Sequence, residues 1–320
     1  MNTNFLPHLT AAALLIPMAT HAQDLGEMWG TAEAESEYYK IVDIPIPPEV
    51  PMRPGSFEFL PDGRLAVGTR RGDIYFITGA LDSPPDPKFH LFASGQDEIF
   101  GLSWHDGSLT ATQFGEVTKI TDTDGDGTAD RFDTLTNNWG YAEGHEFAFG
   151  SKHDPDGNIW VALGLSGSYN SNNLFRGWAV KVTPDGRMIP VCSGLRSPGG
   201  VAANAEGAMF TIESQGPWNG SCSIKHLKPG GFLGHPASYN WYQFAENLDT
   251  PAVTPDSNSR IRVEKRRVKE LVPPAVRFPY IKMGRSISGF RLDDTDGKFG
   301  PFKNQLFFGD YTLSLVMRAT

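Results

Sequence analysis

Cysteine is almost missing from this 320-residue chain, which has only Cys192 and Cys222. That excludes a fold stapled by many disulfides; one disulfide or two buried thiols both remain open. No CxxCH occurs, so the chain carries no c-type haem site of its own. Basic residues are scarce too, 28 Lys and Arg against 37 Asp and Glu, for a formal charge of −9. Phosphate binding needs a basic face, so nucleic acid is excluded as a partner. The apolar run Leu6–Met18 has about 13 residues, too few to span a bilayer. Long helical periodicity is lacking as well.

Glycine and proline, by contrast, are plentiful at 35 and 24 residues, and D-G pairs recur. That composition predicts an all-β domain of short strands and tight turns. The run Leu6–Met18, followed by small residues around Ala22, predicts an export signal over residues 1–22. The mature protein is then expected in the periplasm or outside the cell.

A unit of strand, D-G or E-G turn and second strand repeats along the chain. Its turn glycines Gly63, Gly107, Gly157 and Gly207 recur about every 45–50 residues, the length of one four-stranded propeller blade. A looser fifth copy starts at Ile287. A β-sandwich would not produce so regular a unit. The expected architecture is a β-propeller of the six-bladed type over residues 51–320, with an insertion at about 239–280. Five blade starts are present and no sixth. The closing blade is therefore expected beyond Thr320, with the segment 23–50 supplying a strand around Lys40–Ile46. The basic stretch Arg260–Lys269 inside the insertion reads as the solvated face of a surface element.

Counting back about ten residues from each turn acid reaches Arg53, Gln96, His145, Arg196 and Arg285. If equal offsets are equal positions, these five ring one mouth of the central channel. Three guanidinium groups there would suit a planar, multiply anionic ligand, and the single imidazole would be the proton acceptor. Polar loop residues that never meet would give the same pattern. His105 and His153 adjoin the turns and read as structural. His226 and His235 follow the fourth copy.

A second pattern is Asp122, Asp124, Asp126, Asp130 and Asp133, which occupy positions 1, 3, 5, 9 and 12 of a loop with Gly127 at position 6. That spacing predicts an isolated structural calcium loop.

The segments Gly95–Trp104, Gly144–Gly164, Ser193–Trp218, Gly230–Pro236 and Gly284–Asp310 together resemble glucose/sorbosone dehydrogenases. These are six-bladed propellers that oxidise sugars with pyrroloquinoline quinone (PQQ). The resemblance implies that His145 is the general base, that Arg196 steadies charge on the quinone, and that Gln96 contacts the cofactor. Arg53 and Arg285 are expected to join these contacts through their place in the ring. It further implies that the turn Gln215-Gly216-Pro217 holds a catalytic calcium through its carbonyl oxygens. The partners it implies are an aldose or related alcohol, with a cytochrome or other electron acceptor. Departures from the family pattern fall at Gly144, Ser197, Asn219–Ser223 and Tyr311–Leu313, where an acid, an asparagine, further acids and a lysine are expected. Two alternatives stand beside this reading: a propeller that binds a ligand or protein without catalysis, and a calcium-dependent lactonase-like hydrolase using Glu143 and Glu213.

Overall fold

The structure is a computed structural model that describes residues 35–142, 145–280 and 282–320. The expected export signal lies outside the described residues. Residues 35–42 belong to a separate short unit, a single turn in which the Tyr38 amide donates to the Glu35 carbonyl at 3.0 Å. Everything from Asp43 to Thr320 forms the second unit.

This second unit is an all-β propeller of five blades. Blade I comprises β1 (Pro54–Phe59), β2 (Leu65–Thr69), β3 (Ile74–Thr78) and β4 (Lys88–Ala93). Blade II comprises β5 (Gly101–His105), β6 (Ser108–Thr112), β7 (Val117–Thr121) and β8 (Arg131–Thr136). In blade III the strands are β9 (Ala148–His153), β10 (Ile159–Leu163), β11 (Trp178–Val182) and β12 (Met188–Ser193). Blade IV holds β13 (Pro198–Ala203), β14 (Met209–Glu213), β15 (Ser223–His226) and the two-residue β16 (Val276–Arg277). Blade V has three strands, β17 (Ile287–Leu292), β18 (Leu306–Asp310) and β19 (Leu315–Ala319).

Gly63, Gly107, Gly157 and Gly207 all sit at φ between 74° and 88°, where an L side chain is strained, so the repeated glycine is what closes each first hairpin. Second strands are buried on both faces, as in β2, β6 and β10, and read as continuous small or apolar runs for that reason. The innermost strands pack side by side in chain order. Their approach is close: a Cβ on Gly101 would lie 2.0 Å from the Gly150 carbonyl carbon. Between blades the apolar faces merge, as where Val161, Trp178 and Val180 of blade III meet Val117 and Tyr242. Blade V reaches blade I through Arg291, which lies 3.6 Å from Glu58 and over the Phe59 ring.

The stretch 239–280 runs from the long connection after the third strand of blade IV through its short fourth strand, β16. It carries most of a 3₁₀ segment (Pro236–Phe244) and helix α1 (Ile261–Arg267), whose basic residues are exposed, while Arg267 pairs with the buried Glu264. No strand forms among the described residues before Pro54, so Lys40–Ile46 does not pair with a sheet. Both cysteines are free and buried, which settles the open choice in favour of thiols.

Candidate functional site

Strand pairing fixes which positions are equivalent. Pro54 pairs with Thr69, Gly101 with Thr112, Ala148 with Leu163, Pro198 with Glu213, and Ile287 with Asp310. Two residues before these first-strand positions stand Met52, Ile99, Glu146, Arg196 and Arg285. Arg196 and Arg285 are therefore true equivalents. Arg53 is one residue nearer its strand, His145 one farther and Gln96 three farther. Met52, Glu146 and Arg196 each stand ten residues before their turn acid, so Arg53 and His145, at nine and eleven, fall beside the register. In blade II the tighter turn of the unshifted β5–β6 pair brings the equivalent position to Ile99, seven before Asp106, and Gln96 falls outside it.

The second strands end at the same mouth, and one residue beyond them come Arg70, Gln113, Gly164, Ser214 and Tyr311. A cavity of about 1010 Å³ runs along the inner strands. At this mouth its wall includes Arg70, His145, Ser197, Ser214, Ser286 and Tyr311; Glu58, Lys152, Arg291 and Asp294 line its far end. His145 is the one residue of the expected set on the wall, exposed beside Phe147 with ring centroids 5.8 Å apart. Phe100, Phe147 and Phe149 form an aromatic floor next to it.

Arg196 flanks the same mouth but is 9% exposed. Its Nη1 donates to the Gln215 carbonyl at 2.7 Å, and its guanidinium carbon lies 5.6 Å from the Tyr169 ring centre. A Cβ on Gly216 would lie 2.1 Å from that guanidinium carbon, so the guanidinium packs directly on the bare glycine. Its Nε has no partner among the described residues. Gln96 is engaged by Gln113, whose Nε2 donates to it at 2.9 Å. Arg53 and Arg285 are exposed and off the cavity wall.

The backbone beneath these groups is held by buried acids that the offset counting missed. Glu213 accepts from the amides of Arg196 and Ser197, and its other oxygen accepts from Lys225, which also donates to the Leu233 carbonyl at 2.8 Å. Asp310 does the same in blade V, accepting from Arg285 N at 2.6 Å, Ser286 N at 3.3 Å, Thr312 N at 3.0 Å and Leu313 N at 3.1 Å. Beside His145, Glu146 accepts from Asn173, Ser166 and the Ala142 amide. Fully buried Arg176 donates to the carbonyls of Gly140, Phe147 and Phe114 at 2.7–3.0 Å. Burial pulls its guanidinium down to about 10, with Glu146 opposing. The only sequence signal for Glu213 and Asp310 is an acid closing an otherwise apolar second strand.

The turn Gln215–Pro217 does not fit a calcium ion. Gly216 exchanges both backbone hydrogen bonds with Asn219, and the Gln215 carbonyl is taken by a guanidinium, whose charge would repel a dication. Glu213 is likewise spent, and Glu143 lies outside the described residues together with Gly144, so no lactonase carboxylate set forms among the described residues. The donor set does suit an oxygen-rich anion. The unpartnered Arg196 Nε is one buried donor. A second is His235 Nε2, whose ring accepts from Ala237 N at Nδ1 and packs on Trp218.

Elsewhere, oxygens of Asp122, Asp124 and Asp126 lie within 4.8 Å of one another. Asp122 wraps the loop by accepting from Gly125 N and Gly127 N, which hold its carboxyl below the usual range. Asp130 instead accepts from Thr123, and Asp133 pairs with Arg131 on β8. His105 and His153 stack at 4.5 Å at the far ends of β5 and β9, away from His145. His226 stacks on Phe210.

Residues 82–318 match a family described as a domain of unknown function, DUF7133. The chain belongs to this family. No curated protein matches it. Among solved structures, this DUF7133 propeller is similar to a glucose dehydrogenase at 21% identity and TM-score 0.57, covering 84% of this chain and 83% of that one. The PQQ domain of a pyranose dehydrogenase from Coprinopsis cinerea matches at 15% and 0.58, over 81% and 71% of the two chains. A calcium structure of a Trichoderma reesei carbohydrate-active enzyme of family AA12 matches at 14% and 0.52, over 87% and 94%. The architecture is thus that of the glucose-dehydrogenase-like propellers. Among the described residues, no helix is long and apolar enough to cross a membrane.

Proposed function

We propose that this DUF7133 propeller is a periplasmic or extracellular oxidoreductase that oxidises an aldose or related alcohol. The observation that carries the reading is the position of His145. It stands exposed on the cavity wall, over an aromatic floor, at the mouth that Arg196 also flanks. A sugar lays its apolar face on such rings and leaves its hydroxyls for polar side chains. His145 then takes the proton from the hydroxyl at the carbon being oxidised. PQQ, when bound, accepts the hydride. Arg196 supplies positive charge beside the oxygen that gains negative charge, and the Gln215 carbonyl keeps the guanidinium in place. A cytochrome or other acceptor receives the electrons. Calcium belongs to the Asp122–Asp126 cluster in this reading, as a structural ion, and the turn at Gly216 and Pro217 holds none.

The absence of an uncommitted carboxylate at the mouth among the described residues favours a second reading, a propeller that binds its ligand without turnover. Loading the protein with PQQ and Ca²⁺ and following dye reduction on a panel of aldoses separates the two. Reduction by wild type that is lost in His145→Ala supports oxidation. Tight quinone binding with no reduction of dye by any aldose supports the binding-only propeller.

A further inference from the structure

We propose that Arg70 recognises a carboxylate on the substrate, so that the preferred substrate is an acidic sugar of the hexuronate class. This deepens the reading of His145 as the base and rests on it. Arg70 directly follows β2, at the register that puts Ser214 and Tyr311 on the cavity wall in blades IV and V. Among the described residues it is the one Lys or Arg side chain at His145's end of the wall, since Lys152 and Arg291 belong to the far end. Its guanidinium stacks at 5.4 Å over Phe100 and 5.8 Å over Phe147, the ring that also touches His145. A sugar lying on those rings therefore meets the guanidinium edge and the imidazole together.

Among the described residues, only one acid competes with a ligand for the Arg70 guanidinium. Glu146, Glu213 and Asp310 lie at this mouth, but each is buried and turned toward backbone amides or internal donors. Glu98 alone answers Arg70, through one oxygen that accepts from Nε and Nη2 at 2.8 Å. Nη1 has no partner among the described residues, so the planar fork keeps a free edge for a second carboxylate. The aromatic stack fixes that edge before any ligand arrives.

The same chemistry would suit a carboxylate of the quinone, and a titration of the full chain without quinone distinguishes the sources. Glucuronate, glucose and PQQ are titrated separately into wild type and Arg70→Gln. Glucuronate is expected to bind about tenfold more tightly than glucose, and Arg70→Gln is expected to remove that margin. Glu98→Gln, which frees the guanidinium, should widen it. Arg70 is exposed at the end of a hairpin, and a melting curve confirms that the variants fold. Equal affinity for the two sugars, no glucuronate binding, or loss confined to PQQ would overturn the proposal. None of these results depends on turnover, so the dye assay can fail while this titration succeeds, and the reverse.

Discussion

Blades IV and V place an arginine at the same register and treat it in opposite ways. Arg196 is laid back on the Gln215 carbonyl and buried, whereas Arg285 reaches solvent. Both backbones are held by an acid at the end of the second strand. Glu213 is backed by a buried lysine; Asp310 is backed by two further amides of its own turn. Register thus positions the backbone, and the groups behind the acid decide how costly the arrangement is to disturb. Breaking a buried ion pair leaves a charge with nothing to answer it, while unpaired amides near the surface find water.

Four substitutions sharpen the contrast. Glu213→Ala strands the buried Lys225 ammonium and the Arg196 and Ser197 amides, and should cost about 3–5 kcal/mol in urea unfolding. His235 tests the same buried pocket by pH. Burial first, then Arg196 and Lys225, push its imidazole from 6.5 down to about 4. Between those values the unfolded chain holds the proton and the folded protein does not, so stability falls as pH drops through that window. The full loss is about 3 kcal/mol, and His235→Gln should remove that share of the slope. Asp310→Ala leaves four amides, two of them beside the exposed Tyr311, and should cost about 1–3 kcal/mol. Arg285→Ala should change stability by no more than about 0.5 kcal/mol. Equal costs for Glu213→Ala and Asp310→Ala would remove the distinction between the two blades.

Much of the fold was legible because propeller turns are written locally. Gly63, Gly107, Gly157 and Gly207 mark hairpins that only a positive φ can close, and the blades follow from their spacing. The basic stretch at Arg260 to Lys269 also reads correctly as a surface element. The site was legible in part. His145 lines the cavity, but the five-residue ring dissolves. Arg53 and His145 lie one residue off the spacing shared by Met52, Glu146 and Arg196, and the tighter turn of blade II puts Ile99 rather than Gln96 in register, a difference that leaves no mark in composition. Arg176 was invisible for another reason: its three acceptors are carbonyls on different segments, brought together only by packing. Arg70 is not marked by the offset from the turn, which points to the entries of first strands, while the second strands deliver their own row of residues to the mouth. The acidic loop Asp122–Asp133 shows the same limit. Its spacing reads as five ligands, yet Asp130 and Asp133 find partners nearer at hand.

The account rests on His145 and Arg196 serving one small molecule, and a double-mutant cycle on ligand binding measures that directly. PQQ affinity is determined for wild type, His145→Ala, Arg196→Ala and the double variant. Coupling above about 0.5 kcal/mol is the expected result, since groups that touch one ligand do not act independently. Losses that simply add would show that imidazole and guanidinium serve separate places, and would contradict a shared site at this mouth.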